Sequence, residues 1–170
     1  MKKLVFTLLL ALTFVTAQAQ DIFAASRANN VKELKKFVSE KVDINQTNEK
    51  GFTPLILAVY NNAPEAVEFL IANGANLNAQ DKSGNNALMG AIFKQNVAMV
   101  DLLIAKKANV NQVNFNGASS LIFAATFGKP EMVKSLLKAG ADKSIKDSRG
   151  KTALDHATMQ ENVEVISLLK

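Results

Sequence analysis

The chain has 170 residues, 20 lysines and arginines against 15 aspartates and glutamates, a formal net charge of +5, one histidine and no cysteine. Without cysteine there is no disulfide, no thiolate nucleophile and no thiolate metal site. The basic balance is mild and beyond the first residues only Lys35-Lys36 and Lys106-Lys107 are adjacent, so no nucleic-acid or polyanion stripe is built.

The N-terminus reads as a secretory signal peptide over residues 1–19. Met1-Lys2-Lys3 is a basic start, Leu4 to Val15 is apolar apart from Thr7 and Thr13, and Ala17-Gln18-Ala19 is a small-x-small cleavage pattern. The apolar run is shorter than the roughly 20 residues of a spanning helix, so cleavage near Gln20 and no stable membrane insertion afterwards are expected. Removing Lys2 and Lys3 lowers the net charge to +3. The expectation is an exported bacterial protein, periplasmic rather than extracellular, with stability supplied by packing alone.

From residue 20 onward the chain is periodic. Gly51, Gly84, Gly117 and Gly150 follow one another at 33-residue intervals, the mark of a stacked array of small units. The units are 20–50, 51–83, 84–116, 117–149 and a shortened 150–170, together one domain over 20–170. Four residues after each glycine stands Leu55, Leu88, Leu121 or Leu154, with Ile22 in the first unit; three further on is Ala25, Ala58, Ala91, Ala124 or Ala157. Leucine and alanine three apart share one helical face, where the alanine admits a close neighbour.

A second helix follows in each unit, marked by Leu34, Phe37 and Val38; Val67, Leu70 and Ile71; Val100, Leu103 and Ile104; Val133, Leu136 and Leu137; and Ile166 with Leu168-Leu169. The spacings of three and four describe a core-facing stripe. Turn formers such as Asn29-Asn30, Asn61-Asn62 and Gly128-Lys129 separate the two helices, and Pro64 and Pro130 suit the first turn of the second. Beyond it lie Gly74-Ala75-Asn76-Leu77-Asn78 and its counterparts at 107 and 140. Glycine there permits a left-handed cap; Lys41 and Lys107 at the same place must bear strain or end the helix differently. Asp43, Asn45, Asn76, Asn78, Asn109, Asn111 and Asp142 are read as turn residues that tie neighbouring units, since their recurrence at 33 does not fit a calcium loop.

The pattern resembles the ankyrin repeat, through Gly51-Phe52-Thr53-Pro54-Leu55 with Ala58, Glu65, Val67, Leu70-Ile71 and Gly74-Ala75-Asn76-x-Asn78. The unit at 117 matches through Leu121, Ala124-Ala125, Gly128, Glu131, Val133, Leu136-Leu137 and Gly140-Ala141-Asp142. The resemblance implies an all-α ankyrin-type solenoid of stacked helix-turn-helix units joined by projecting turn loops. The histidine usual in the family is replaced by Ile56, Met89, Ile122 and Asp155, so the Thr–His bond between units is expected to yield to apolar packing. The charged second helix of the first unit reads as an end cap, and the short last unit as one prone to fray.

The resemblance also implies a concave face lined by turn tips and first helices, with a protein partner docked on it and the chain itself a monomer. Mapping those positions gives Phe52, Lys82, Asn85, Phe115 and Arg149 on the tips, and Tyr60, Phe93, Lys94, Thr126, Phe127 and Met159 at the ends of the first helices. Tyr60, Phe93, Phe127 and Met159 occupy positions the repeat leaves free, and exposed aromatic patches mark interfaces. The competing reading is that these side chains stack on one another and merely hold the array together.

Catalysis finds little support. Asp155-His156 has no recurring nucleophile beside it, although Asp155, His156 and Glu161 define an enzyme alternative; the plainer reading is a surface or packing histidine. No metal spacing and no glycine-rich phosphate loop is present, and no cofactor is expected. The leading expectation is a non-enzymatic binding module of the cell envelope, acting as stabiliser, inhibitor or immunity protein, with a secreted effector as the alternative. Polyanion or envelope-surface binding through scattered lysines ranks last.

Overall fold

The computed structural model describes residues 22–170; the signal-peptide reading lies outside them. These residues gather into two compact units that divide between Ala75 and Asn76, after the second helix of the repeat that begins at Gly51.

The first unit contains α1 over residues 22–27, α2 Val31–Ser39, α3 Pro54–Tyr60 and α4 Pro64–Ala72. The second contains α5 Ala87–Phe93, α6 Val97–Ala105, α7 Ser120–Phe127, α8 Pro130–Lys138, α9 Ala153–Met159 and α10 Val163–Leu169. No helix among the described residues is long and apolar enough to cross a membrane. Helices of seven to nine residues are marginal alone, so burial and capping hold them. Thr53, Asn86, Ser119 and Thr152 cap the first helices by accepting the N–H three residues on.

The two helices of a repeat pack on each other, as α3 on α4, α5 on α6, α7 on α8 and α9 on α10; in the second unit first helices also stack on first and second on second, and in the first unit α2 packs on α4. All but one of the expected leucines and alanines of the repeat lie in the core: Leu55, Ala58, Leu88, Ala91, Ala124 and Ala157 are fully buried, as are Leu34, Leu70, Leu103 and Leu136, whereas Leu154 is half-buried. Val38, Ile71, Ile104 and Leu137, expected in the same stripe, are only half-buried, because they sit at its edge. In the last helix Val165 and Leu169 form the seam, while Ile166 and Leu168 are half-exposed. That helix is capped at its N-terminus by Asn162, which accepts from Val165 N at 3.1 Å.

The helix-to-helix turns share one device. Asn29, Asn62, Gln95 and Glu161 take φ of 52 to 55°, the left-handed region. Gly128, at the same place in its unit, does not: φ is −88° and ψ 180°. There α7 runs one residue longer than α3, α5 and α9, and the Gln95 side chain donates to the Phe127 carbonyl at 3.0 Å, satisfying that helix end from the preceding turn. Lys41 and Lys107 adopt φ of 59° and 70°, so the helices end as at Gly74 and Gly140, and the lysines bear the strain.

Candidate protein-binding face

The projecting turns are built from a single rule. Three residues before each marker glycine stands Asn48, Asp81, Asn114 or Asp147, whose Oδ1 accepts two backbone N–H groups. The donors are Lys50 and Phe52 for Asn48, and Ser83 and Asn85 for Asp81; Asn116 and Ala118 serve Asn114, and Arg149 and Lys151 serve Asp147. All eight bonds are 2.8 to 3.0 Å long. The glycine then turns the chain at φ of 72 to 79° and donates to the carbonyl of that same Asn or Asp. In the second unit the tips join edge to edge: Phe115 N donates to Ser83 O at 3.2 Å and Ser148 N to Asn116 O at 2.8 Å. Gly84 lies so close that a Cβ there would sit 2.5 Å from Phe115 N.

Two first helices present only their C-terminal ends. α3 and α5 each bury six of seven residues, and the last residue clears the flanking packing. Phe93 is therefore 54% exposed, Phe127 46% and Met159 60%, and Phe115 on its tip reaches 72%. Phe127 packs edge-on against both Phe93 and Phe123, with ring centres 5.8 Å apart in each pair. In the first unit Tyr60 lies 5.8 Å from Phe52, and both are half-buried.

Beside Phe127 runs a groove of about 450 Å³, with Ile122 and Phe123 in its floor and Asn116, Ser148 and Arg149 on its rim. Its wall is a polar chain. Thr126 Oγ1 donates to Ile122 O at 2.8 Å and meets His156 Nδ1 at 3.0 Å; His156 Nε2 meets Asp147 Oδ2 at 2.9 Å. Arg149 closes onto the same Oδ2 at 3.2 Å. The Lys151 N–H first, then His156 and Arg149, hold the Asp147 carboxyl far below the ordinary carboxylate range against the opposing effect of burial. Asp155, next to the histidine, turns away into a capping box with Thr152, which lowers its own pKa.

Two family models match this chain: "Ankyrin repeats (3 copies)" over residues 22–114 and "Ankyrin repeats (many copies)" over residues 102–157. The chain belongs to the ankyrin-repeat family. It is similar to the mitochondrial disaggregase of Bos taurus, 38% identical over 55 residues, and to that of Homo sapiens, 36% identical over 55. Each match covers 32% of this chain and 8% of the relative. It is also similar to the Arabidopsis thaliana protein LHCP TRANSLOCATION DEFECT, 49% identical over 43 residues, or 25% of each chain. The chain thus spans less than a tenth of the disaggregases and a quarter of the plant protein. Ankyrin repeats are protein-interaction scaffolds, typically without catalysis of their own, and the all-helical fold of both units agrees with that assignment.

Within this ankyrin frame the expected site residues separate into groups. Lys82, Lys94, Phe93, Phe115, Phe127, Arg149 and Met159 are exposed. Phe52, Tyr60, Asn85 and Thr126 are half-buried and engaged: Phe52 and Tyr60 on each other, Asn85 accepting from Asn114 Nδ2 at 2.9 Å, and Thr126 on His156. Tyr60 and Phe93 belong to different units, so the aromatic row is established only as Phe93–Phe127. That pair packs edge-on and remains about half exposed.

His156 is a packing histidine rather than a surface one, with both ring nitrogens engaged. At the family's histidine position Ile56, Met89 and Ile122 are buried apolar side chains, as expected, whereas in the last repeat Asp155 forms a polar capping box with Thr152, reaching back to its N–H at 2.8 Å. Sequence reading missed Asn48, Asp81, Asn114 and Asp147, although their 33-residue recurrence was visible. It also missed Phe123, whose repeat position is filled in turn by Leu57, Gly90 and His156.

Proposed function

We propose that this protein is an exported module of the bacterial cell envelope that binds a protein partner through the face made by its turn tips and first-helix ends. Its role there is that of a stabiliser, inhibitor or immunity protein. The observation that carries the reading is the exposure of Phe93, Phe115, Phe127 and Met159 at positions the ankyrin scaffold leaves free. A scaffold needs no large apolar side chain there, and such a patch supplies the anchors of an interface. The basic, apolar and small-x-small order of residues 1–19 supports export.

The test is co-purification of the tagged protein from its own envelope fraction, wild type against Phe93→Ala/Phe127→Ala. Recovery of a stoichiometric partner by the wild type and its loss in the variant, with stability changed by less than about 1 kcal/mol, is the expected result. Partner retention by the variant overturns the reading of the face. Edman sequencing of the mature chain tests export, the expected N-terminus being Gln20; an intact Met1 in the cytosol refutes it.

A further inference from the structure

From the groove beside Phe127 and the charges around it, we infer that the second unit recognises an acidic peptide segment of its partner, with one large apolar side chain seated between acidic neighbours. This rests on the reading of the tip and first-helix face as an interface, and specifies its chemistry.

The anchor site is preformed. The groove volume of about 450 Å³ falls within the range of ligand pockets, and its floor of Ile122 and Phe123 is apolar. Its wall is pinned from both ends, because His156 is held between Thr126 and Asp147, and Asp147 is itself fixed by the loop N–H groups. A wall that does not reorganise loses little ordering entropy on binding. Phe127, braced by Phe93 and Phe123, stands at the groove edge where an entering side chain would meet it.

The charges select what flanks the anchor. Residues 76–170 hold 12 lysines and arginines against 8 aspartates and glutamates, and the two signs are treated differently. Asp81 and Asp147 are buried as loop caps and Asp155 is folded into its capping box, which leaves Glu161, just beyond Met159, as the exposed acid of the turns that end the first helices of this unit. Lys82, Lys94, Lys129 and Lys151 are exposed and enter none of the ion pairs seen among the described residues. Lys94 directly follows Phe93, Lys129 stands two residues beyond Phe127, and Lys82 and Lys151 sit on turn tips, so single cations accompany the exposed aromatics, while the groove lining itself holds Arg149. Such a pattern suits separate carboxylates beside an anchor, and gives a continuous polyphosphate no contiguous track.

The experiment is a random-peptide display selection on the purified full chain. Selected peptides are then synthesised with a fluorescein label and titrated against wild type, Lys94→Glu/Lys151→Glu and Phe93→Ala/Phe127→Ala, each checked for folding by circular dichroism. The expected result is enrichment of Asp and Glu around Leu, Phe or Trp. Affinity should fall about tenfold in the charge-reversed variant, the effect of about 1.4 kcal/mol, and be lost in the aromatic variant. Peptides without acidic enrichment that still need Phe93 and Phe127 overturn this inference and leave the binding face standing. Peptides indifferent to both variants overturn both, and failure to enrich any peptide counts against peptide recognition. Heparin or phosphatidylglycerol vesicles bound equally by wild type and the aromatic variant would point to a polyanion surface and sink the proposal.

Discussion

His156 and Asp147 meet at 2.9 Å, joining the helix of the last repeat to the turn that introduces it. Asp147 carries two loads at once: Oδ1 caps its own loop and Oδ2 fixes the imidazole. Asn48 and Asn114 do the first of these jobs as neutral amides. The negative charge of Asp147 therefore serves the His156 and Arg149 contacts rather than the turn alone.

Acid stability should report this charge. The folded-state pKa of Asp147 is depressed, chiefly by the Lys151 N–H, below an unfolded value of about 3.9. Its stabilisation is thus present above that value and disappears as pH falls through it toward the folded pKa. Asp147→Asn should keep the loop caps yet melt at lower temperature than wild type at pH 7, with the difference narrowing below about pH 4. Thermal melts at several pH values decide; a gap constant down to acid pH would refute the assignment.

Ser120 offers a gain. Its hydroxyl is fully buried and is the buried side-chain polar atom without a hydrogen-bond partner among the described residues. The equivalent residues are Pro54, Ala87 and Ala153. Ser120→Ala should raise stability by about 1 kcal/mol, since an unsatisfied polar group is removed. Urea unfolding checks it, and a loss of stability would show that the hydroxyl has a partner after all.

At Lys107, φ of 70° places an L side chain where Gly74 and Gly140 serve the neighbouring repeats. Lys107→Gly should stabilise by about 1 kcal/mol through relief of left-handed strain, offset in part by the added freedom of the unfolded chain. Gly140→Lys should lose a comparable amount. The same urea series measures both, and equal stabilities would mean the strain is negligible.

Gly84 and Gly150 share a left-handed backbone and differ in surroundings. A Cβ on Gly150 meets nothing within 4 Å, whereas one on Gly84 would press on Phe115 N at 2.5 Å and Phe115 Cδ1 at 2.7 Å. Gly150→Ala should therefore lose about 1–2 kcal/mol, and Gly84→Ala about 1–3 kcal/mol more through overpacking. If the two lose alike, the tip-to-tip contact of Ser83 and Phe115 is not rigid in solution.

Much of the scaffold was legible because its signals are local. The Leu–x–x–Ala spacing, the capping residues and the glycine interval each report a backbone requirement confined to a few residues, and repetition averages out the noise. The repeat position of Lys107 left a strained left-handed cap or a different helix end, and φ of 70° decided for the first. The longer α7 was not legible, because Gln95 satisfies that helix end across 32 residues. Nor was the inward role of Thr126, since a hydroxyl among turn-facing residues reads the same whether it meets solvent or a histidine 30 residues on.

The amino-acid sequence by itself determined the family, the repeat register, the helix pairs and the buried leucine–alanine stripe, because each depends on periodicities within one repeat. Only the tertiary structure decided what lies between repeats. It showed that Phe93, Phe123 and Phe127 form one cluster, that Asp147 faces inward while its lysine neighbours face out, and that His156 is buried between Thr126 and Asp147. Those outcomes depend on which side chains the stacking of successive pairs brings within a few ångströms, and residues some thirty positions apart leave no local pattern to announce it.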